Sequence, residues 1–158
     1  MVKIFVSSSN VPIGYVVPRF PSIFWPLGAQ SDEFHASYLY FARDMWRFTF
    51  YWTIVMFAGF YYFTGLLAGL IYLRNRVRNS KPSSISALML VESVAIVFIY
   101  TSVGVTQGVI VGAIVGLLLS SVYKAGSLYM SSWIPFVWSI AGILFNVGSS
   151  YSLSSVVL

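Results

Sequence analysis

Glycine stands at every fourth position in the stretch GVTQGVIVGAIVG, from Gly104 to Gly116. Such a run has two chemical uses: its amides can cradle a phosphate, or its bare backbone can let another helix approach closely. A phosphate loop needs a Gly-Lys-Ser/Thr ending and a strand before it. This run has neither, and from Val105 on it lies within the uncharged stretch 105–123. A spacing of four puts Gly104, Gly108, Gly112, Gly116 and then Ser120 on one slowly drifting helical stripe. Gly65 and Gly69, in an earlier apolar stretch, offer a matching notch. The spacing predicts helix packing, against the chain's own spans or against a partner's helix, and argues against nucleotide binding.

Other chemistry is sparse. His35 is the sole histidine, so no histidine pair exists for a metal, and the absence of cysteine removes thiol catalysis and thiolate ligation. Asp32 and Glu33 are neighbours at a helix start, where exposed amides favour negative charge. Asp44 has Arg43 and Arg47 beside it for pairing. Glu92 is the notable carboxylate, because an ionisable group in or near a membrane span is a functional hypothesis by default. Gln107 and Asn146 are the polar residues deepest in the apolar stretches, placed to hydrogen-bond to each other across helices. The expectation is no catalytic residue, no cofactor and no metal.

These residues must be carried by membrane helices. Hydrophobic residues make up 58% of the 158-residue chain and charged residues 8%, against roughly a quarter charged in an ordinary soluble domain. Nine basic and four acidic residues cannot cover a water-facing surface. The net charge of +5 comes largely from RNRVRNSK, Arg74 to Lys81, a loop between apolar stretches. Its basic residues set topology and do not form a nucleic-acid face.

The organisation divides at 47. Residues 12–26 carry four of the six prolines among Phe20, Ile23, Phe24 and Trp25, which predicts an irregular segment at the membrane interface. Phe34, Tyr38, Phe41 and Met45 recur at helical spacing after an N-cap at Ser31, so an interfacial amphipathic helix is expected over 32–47. Residues 48–158 then form the transmembrane helical domain. The first span is 48–73, uncharged and rich in aromatics; Tyr61, Tyr62 and Phe63 fall near its middle, where an interfacial-belt role fails. The long stretch 83–123 has only Glu92 as a charge and admits two solutions. Two short spans turning near Thr101–Gln107 would bury Glu92 and expose turn backbone to lipid. One tilted span over 96–122, with 84–95 at the cytoplasmic interface, is the better solution. A last uncharged span covers 134–157, with Pro135 in its first turn. The fold expected is therefore an all-α membrane protein of three transmembrane helices, four being the alternative. The basic loop is cytoplasmic and the N-terminus lumenal.

With these residues in view, the chain resembles the transmembrane protein 170 family from about Phe41 to Asn146. The resemblance rests on ARDMW leading into the first span, the basic loop, the small-residue second span, and VYKAG followed by Met130, Val137 and Trp138. It departs in its proline- and aromatic-rich N-terminus, in a longer stretch before the glycine stripe, and in apolar Ile134 and Phe136. The resemblance implies three spans, a lumenal N-terminus, residence in the endoplasmic reticulum and nuclear envelope, and a part in shaping those membranes, with no catalytic residues to carry over.

The function expected is non-enzymatic: a multi-pass protein that shapes membrane or anchors a larger complex, one version being an anchor for a lipid-handling or lipid-transfer protein. Its partners would be membrane lipids and another integral membrane or lipid-transfer protein, not nucleic acid. The alternative is a subunit of a proton- or ion-linked transporter using Glu92, with a membrane-embedded enzyme third.

Overall fold

The computed structural model describes residues 16–21, 38–79 and 87–156. Within them lie three helices, α1 (Ala42–Asn79), α2 (Ala87–Ala125) and α3 (Trp133–Val156), and two short strands, β1 (Tyr38–Leu39) and β2 (Met130–Ser131). Each helix is long and apolar enough to cross a membrane. The chain is an all-α membrane protein with three such helices.

The physical requirement on these helices is that no polar group be left unpaired in lipid. The sequence meets it locally. Thr49 and Thr53 on α1 donate to the carbonyls of Met45 and Thr49 at 2.9 and 2.7 Å, and Thr64 donates to Phe60 at 2.7 Å. On α2, Thr101, Ser102 and Thr106 donate to Val97, Phe98 and Ser102 at 2.8 to 2.9 Å. On α3, Ser139 donates to Phe136 at 2.6 Å, and Ser149 and Ser150 both donate to Asn146 at 2.9 Å. The hydroxyls thus cost little where water is absent.

α2 decides between the two solutions for 83–123. It is one helix of 39 residues, unbroken through 101–107, and the residues from Ala87 to Ile96 form its opening turns. No proline occurs between Pro82 and Pro135, and the hydroxyls at 101, 102 and 106 bond back within the helix instead of stabilising a turn. At 1.5 Å per residue α2 is about 58 Å long.

The amphipathic helix expected over 32–47 needs correction. Tyr38–Leu39 is a strand, antiparallel to Met130–Ser131 with Tyr38 opposite Ser131 and Leu39 opposite Met130, and the helix starts at Ala42. Leu39 and Met130 are both 0% exposed, so pairing buries an apolar couple that a continuing helix would leave apart. The part over 32–37 lies outside the described residues. α1 then passes through 47–48 without a break.

Two compact units make up the chain, one of residues 1–53 and 111–158, the other of 54–110. The core of the first contains Leu39, Met45, Phe48, Trp52, Met130 and Ile143, with Pro135 and Ser132 also buried. Of the segment 12–26 expected to be irregular, 16–21 carry no helix or strand and the rest lies outside the described residues. Phe20 sets its ring against Phe48, Tyr51 and Trp52 at 5.2 to 5.9 Å. Trp52 in turn meets Phe136 of α3 edge-on at 5.1 Å. In the second unit the buried large side chain is Phe57. Tyr62, Phe63 and Phe98 point outward there.

α2 ends in a closed cap. Leu128 N–H donates to the Tyr123 carbonyl at 2.9 Å and Ser127 N–H to Lys124 at 3.1 Å. This is the paired pattern that usually places glycine in the left-handed position. Here Ser127 occupies it, at φ 50°. Gly126 precedes it and donates to Val122 at 3.0 Å.

Candidate functional site

The five stripe positions, Gly104, Gly108, Gly112, Gly116 and Ser120, are all buried, as are Gly65 and Gly69, although much of α1 and α2 is exposed. What fills the space differs from the notch-to-notch match that the spacing implied. In the unit of 54–110, a side chain at Gly104 would start 2.5 Å from Cβ of Tyr61. At Gly65 it would meet Cβ of Tyr100 at 3.0 Å and Cα of Val97 at 3.2 Å, and at Gly69 the hydroxyl of Ser93 at 2.9 Å. In the unit of 1–53 and 111–158, Gly112 faces Cβ of Thr53 at 3.1 Å and the Phe50 carbonyl at 3.3 Å, while Gly116 faces Cδ1 of Trp46 at 2.9 Å. The nearest atoms to Gly65, Gly69, Gly104, Gly112 and Gly116 are thus side chains and backbone from the other helix, not its glycines. Knobs of one helix enter notches of the other, in both directions.

The polar groups follow the same seam. Tyr61 places its ring at Gly104 and donates its hydroxyl to Oε1 of Gln107 at 2.6 Å, so two α2 positions one turn apart form a socket for it. Trp46 stacks on Phe50, centroids 5.2 Å apart, and its indole donates to the Ala113 carbonyl at 3.4 Å. Ser93 donates to the Gly69 carbonyl at 3.3 Å, and Ser120 to Leu117 at 3.1 Å. Asn146 is half-buried on α3, and its main-chain carbonyl is the acceptor for Ser149 and Ser150. Among the described residues, the indole N–H of Trp52 is buried with no acceptor.

Glu92 lies in the second turn of α2 and is exposed. It accepts a hydrogen bond from the hydroxyl of Tyr72 at 2.5 Å. Tyr72 stands one helical turn before Arg76, at the end of the uncharged stretch 48–73. That level suits a carboxylate at the edge of a span. Asp44 makes no ion pair among the described residues; Arg47, its expected partner, lies 5.9 Å over the ring of Tyr51. No cluster of metal-ligating side chains occurs among the described residues.

The family described as Transmembrane protein 170A/B-like matches residues 38–158. The chain belongs to that family. The transmembrane protein 170 match starts at β1 and takes in all three helices, leaving residues 1–37 outside. The chain is also similar to a Saccharomyces cerevisiae protein named "Uncharacterized protein YPR153W", 32% identical over 154 residues and covering 98% of each chain. That likeness includes the N-terminal segment that the family match leaves out. No solved structure matches.

Within this transmembrane protein 170 chain, the residues that sequence reasoning missed are the knobs. Trp46, Phe50, Thr53 and Tyr61 continue at spacings of three, four and eight into Gly65 and Gly69, and together they trace one face of α1. Tyr61 carried a signal, since a mid-span tyrosine has no belt role and needs a partner for its hydroxyl.

Proposed function

We propose that the protein is a non-enzymatic, multi-pass component of the endoplasmic reticulum and nuclear envelope that works through its surface, either shaping the bilayer or anchoring a larger membrane complex. The observation that carries this reading is how the polar and small residues are used. Gly65, Gly69, Gly104, Gly112 and Gly116 receive neighbouring side chains and backbone, and most hydroxyls on the helices bond within them. Much of what remains outward is large and apolar, including Phe63, Phe98 and Phe145 at 63, 72 and 78% exposure. Such a surface offers contact with lipid or with another span and little for chemistry. A lipid-handling or lipid-transfer protein is the partner class favoured, because the aromatic segment around Phe20 lies beside α1 where it would perturb nearby lipid.

Purification of the full chain from reticulum membranes, with imaging of reticulum sheets in cells lacking it, tests the reading. A stoichiometric membrane companion or altered sheets is expected. A chain that purifies alone, from cells with unchanged membranes, sinks the proposal. Orientation is tested separately: with cysteines placed at Ser9 and Ser80, an impermeant thiol reagent on intact microsomes should label position 80 and spare position 9.

The transporter alternative has one observation in its favour, the short hydrogen bond between Tyr72 and Glu92. Against it stands the place of Glu92, in the second turn of α2 and far from the middle of the helix.

A further inference from the structure

We propose that the corner where α1 begins and α2 ends is a binding site for a phosphoryl group, carried by a lipid headgroup or by a free phosphate. A cavity of about 390 Å³ opens there, lined in part by Tyr40, Arg43, Tyr123, Lys124 and Ser127. Ligand sites of small molecules begin at about 300 Å³. All of its lining belongs to the unit of 1–53 and 111–158.

Two cations from distant parts of the chain meet at this cavity. Arg43 is in the first turn of α1 and Lys124 in the last turn of α2. Both are exposed, and neither makes an ion pair among the described residues. Among the described residues, no carboxylate lines the cavity. The neighbouring cavity of about 370 Å³ differs in this respect: Arg19 and Arg47 share it with Asp44. Among the described residues Arg43 and Lys124 are thus uncompensated, and a planar guanidinium with an ammonium suits a tetrahedral oxyanion.

The surroundings favour an anion further. The amino-terminal end of α1 contributes positive partial charge at Arg43. At the other helix end, the carbonyls of Val122, Tyr123 and Lys124 are already acceptors for Gly126, Leu128 and Ser127, so they do not compete for the ammonium. Tyr123 and Ser127 bring hydroxyls to the rim. The level is also right. Lys124 is the first charge after the uncharged run 93–123, and Arg43 stands just before the run 48–73. Both cations therefore lie where apolar helix gives way to the headgroup layer.

Native mass spectrometry tests this on the full chain, released from phosphatidylcholine nanodiscs containing phosphatidic acid. One phosphatidic acid should remain bound to the unaltered chain and to Arg76→Gln/Arg78→Gln, and be lost from Arg43→Gln/Lys124→Gln. The charge-preserving Arg43→Lys/Lys124→Arg should retain it, which separates loss of the site from loss of fold. Titration with inorganic phosphate distinguishes the sources: displacement of the lipid shows a site for free phosphate, and retention shows one for the headgroup. Equal lipid retention by Arg43→Gln/Lys124→Gln, equal loss from the Arg76/Arg78 variant, or no retained phosphatidic acid in the unaltered chain would overturn the proposal.

Discussion

Tyr61 occupies the space that any side chain at Gly104 would need, with its Cβ 2.5 Å from where that side chain would begin. The intruding atom is close to the α1 backbone and is not the mobile end of a long side chain, so the helices themselves must shift to relieve it. Gly104→Ala should therefore destabilise by about 1–3 kcal/mol, the usual cost of overpacking. Gly59, on α1 in the same unit, has nothing within 4 Å of such an atom. Gly59→Ala should be neutral or stabilising by up to about 1 kcal/mol, from helix propensity. Thermal unfolding of both variants in one detergent gives the comparison, and a more stable Gly104→Ala would contradict the close approach.

Gly112→Leu separates internal packing from partner docking. Thr53 and the Phe50 carbonyl stand at 3.1 and 3.3 Å there, so the expected outcome is low abundance of the protein itself. Ile114→Leu, at an exposed position two residues on, should leave abundance unchanged. A stable Gly112→Leu chain that has lost its companions would instead assign the stripe to a partner.

Trp52 gives a sign that contact counting alone would miss. Its indole N–H is buried without an acceptor, whereas that of Trp46 donates to Ala113. Trp52→Phe loses ring area but removes an unsatisfied donor, whose burial costs on the order of 1–3 kcal/mol. The two effects oppose, so Trp52→Phe should cost less than Trp46→Phe in the same unfolding assay. The reverse order would mean that Trp52 finds an acceptor in the membrane.

Tyr72→Phe removes the donor of an exposed hydrogen bond, while Glu92→Gln removes the charge and keeps an acceptor oxygen. Abundance and melting temperature should hardly move, and growth should be unaffected. A folded Glu92→Gln chain with a null phenotype would promote the transporter reading over the anchoring one.

The sequence made some of this legible and concealed the rest for identifiable reasons. The stretch 48–73 announces a span because lipid tolerates few charges, and the spacing of four from Gly104 onward announces a packed stripe. The occupants of that stripe were hidden, since which side chain enters which notch depends on the offset between two helices. Tyr38 shows the opposite failure. Its place in a helical row of aromatics imitates an amphipathic helix, while its real partner, Ser131, lies far along the chain. Glu92 was conspicuous as a lone charge, but nothing local pointed to Tyr72.

The length of α1 has a consequence for the bilayer itself. The uncharged stretch 48–73 amounts to about 39 Å of helix, against a bilayer hydrocarbon layer of about 30 Å. α1 runs unbroken from Ala42 to Asn79 and contains no proline to kink it. Either the helix leans or the surrounding lipid tails stretch, and each response carries a small elastic cost per ångström. Each ångström of mismatch that leaning does not absorb falls on the surrounding lipid.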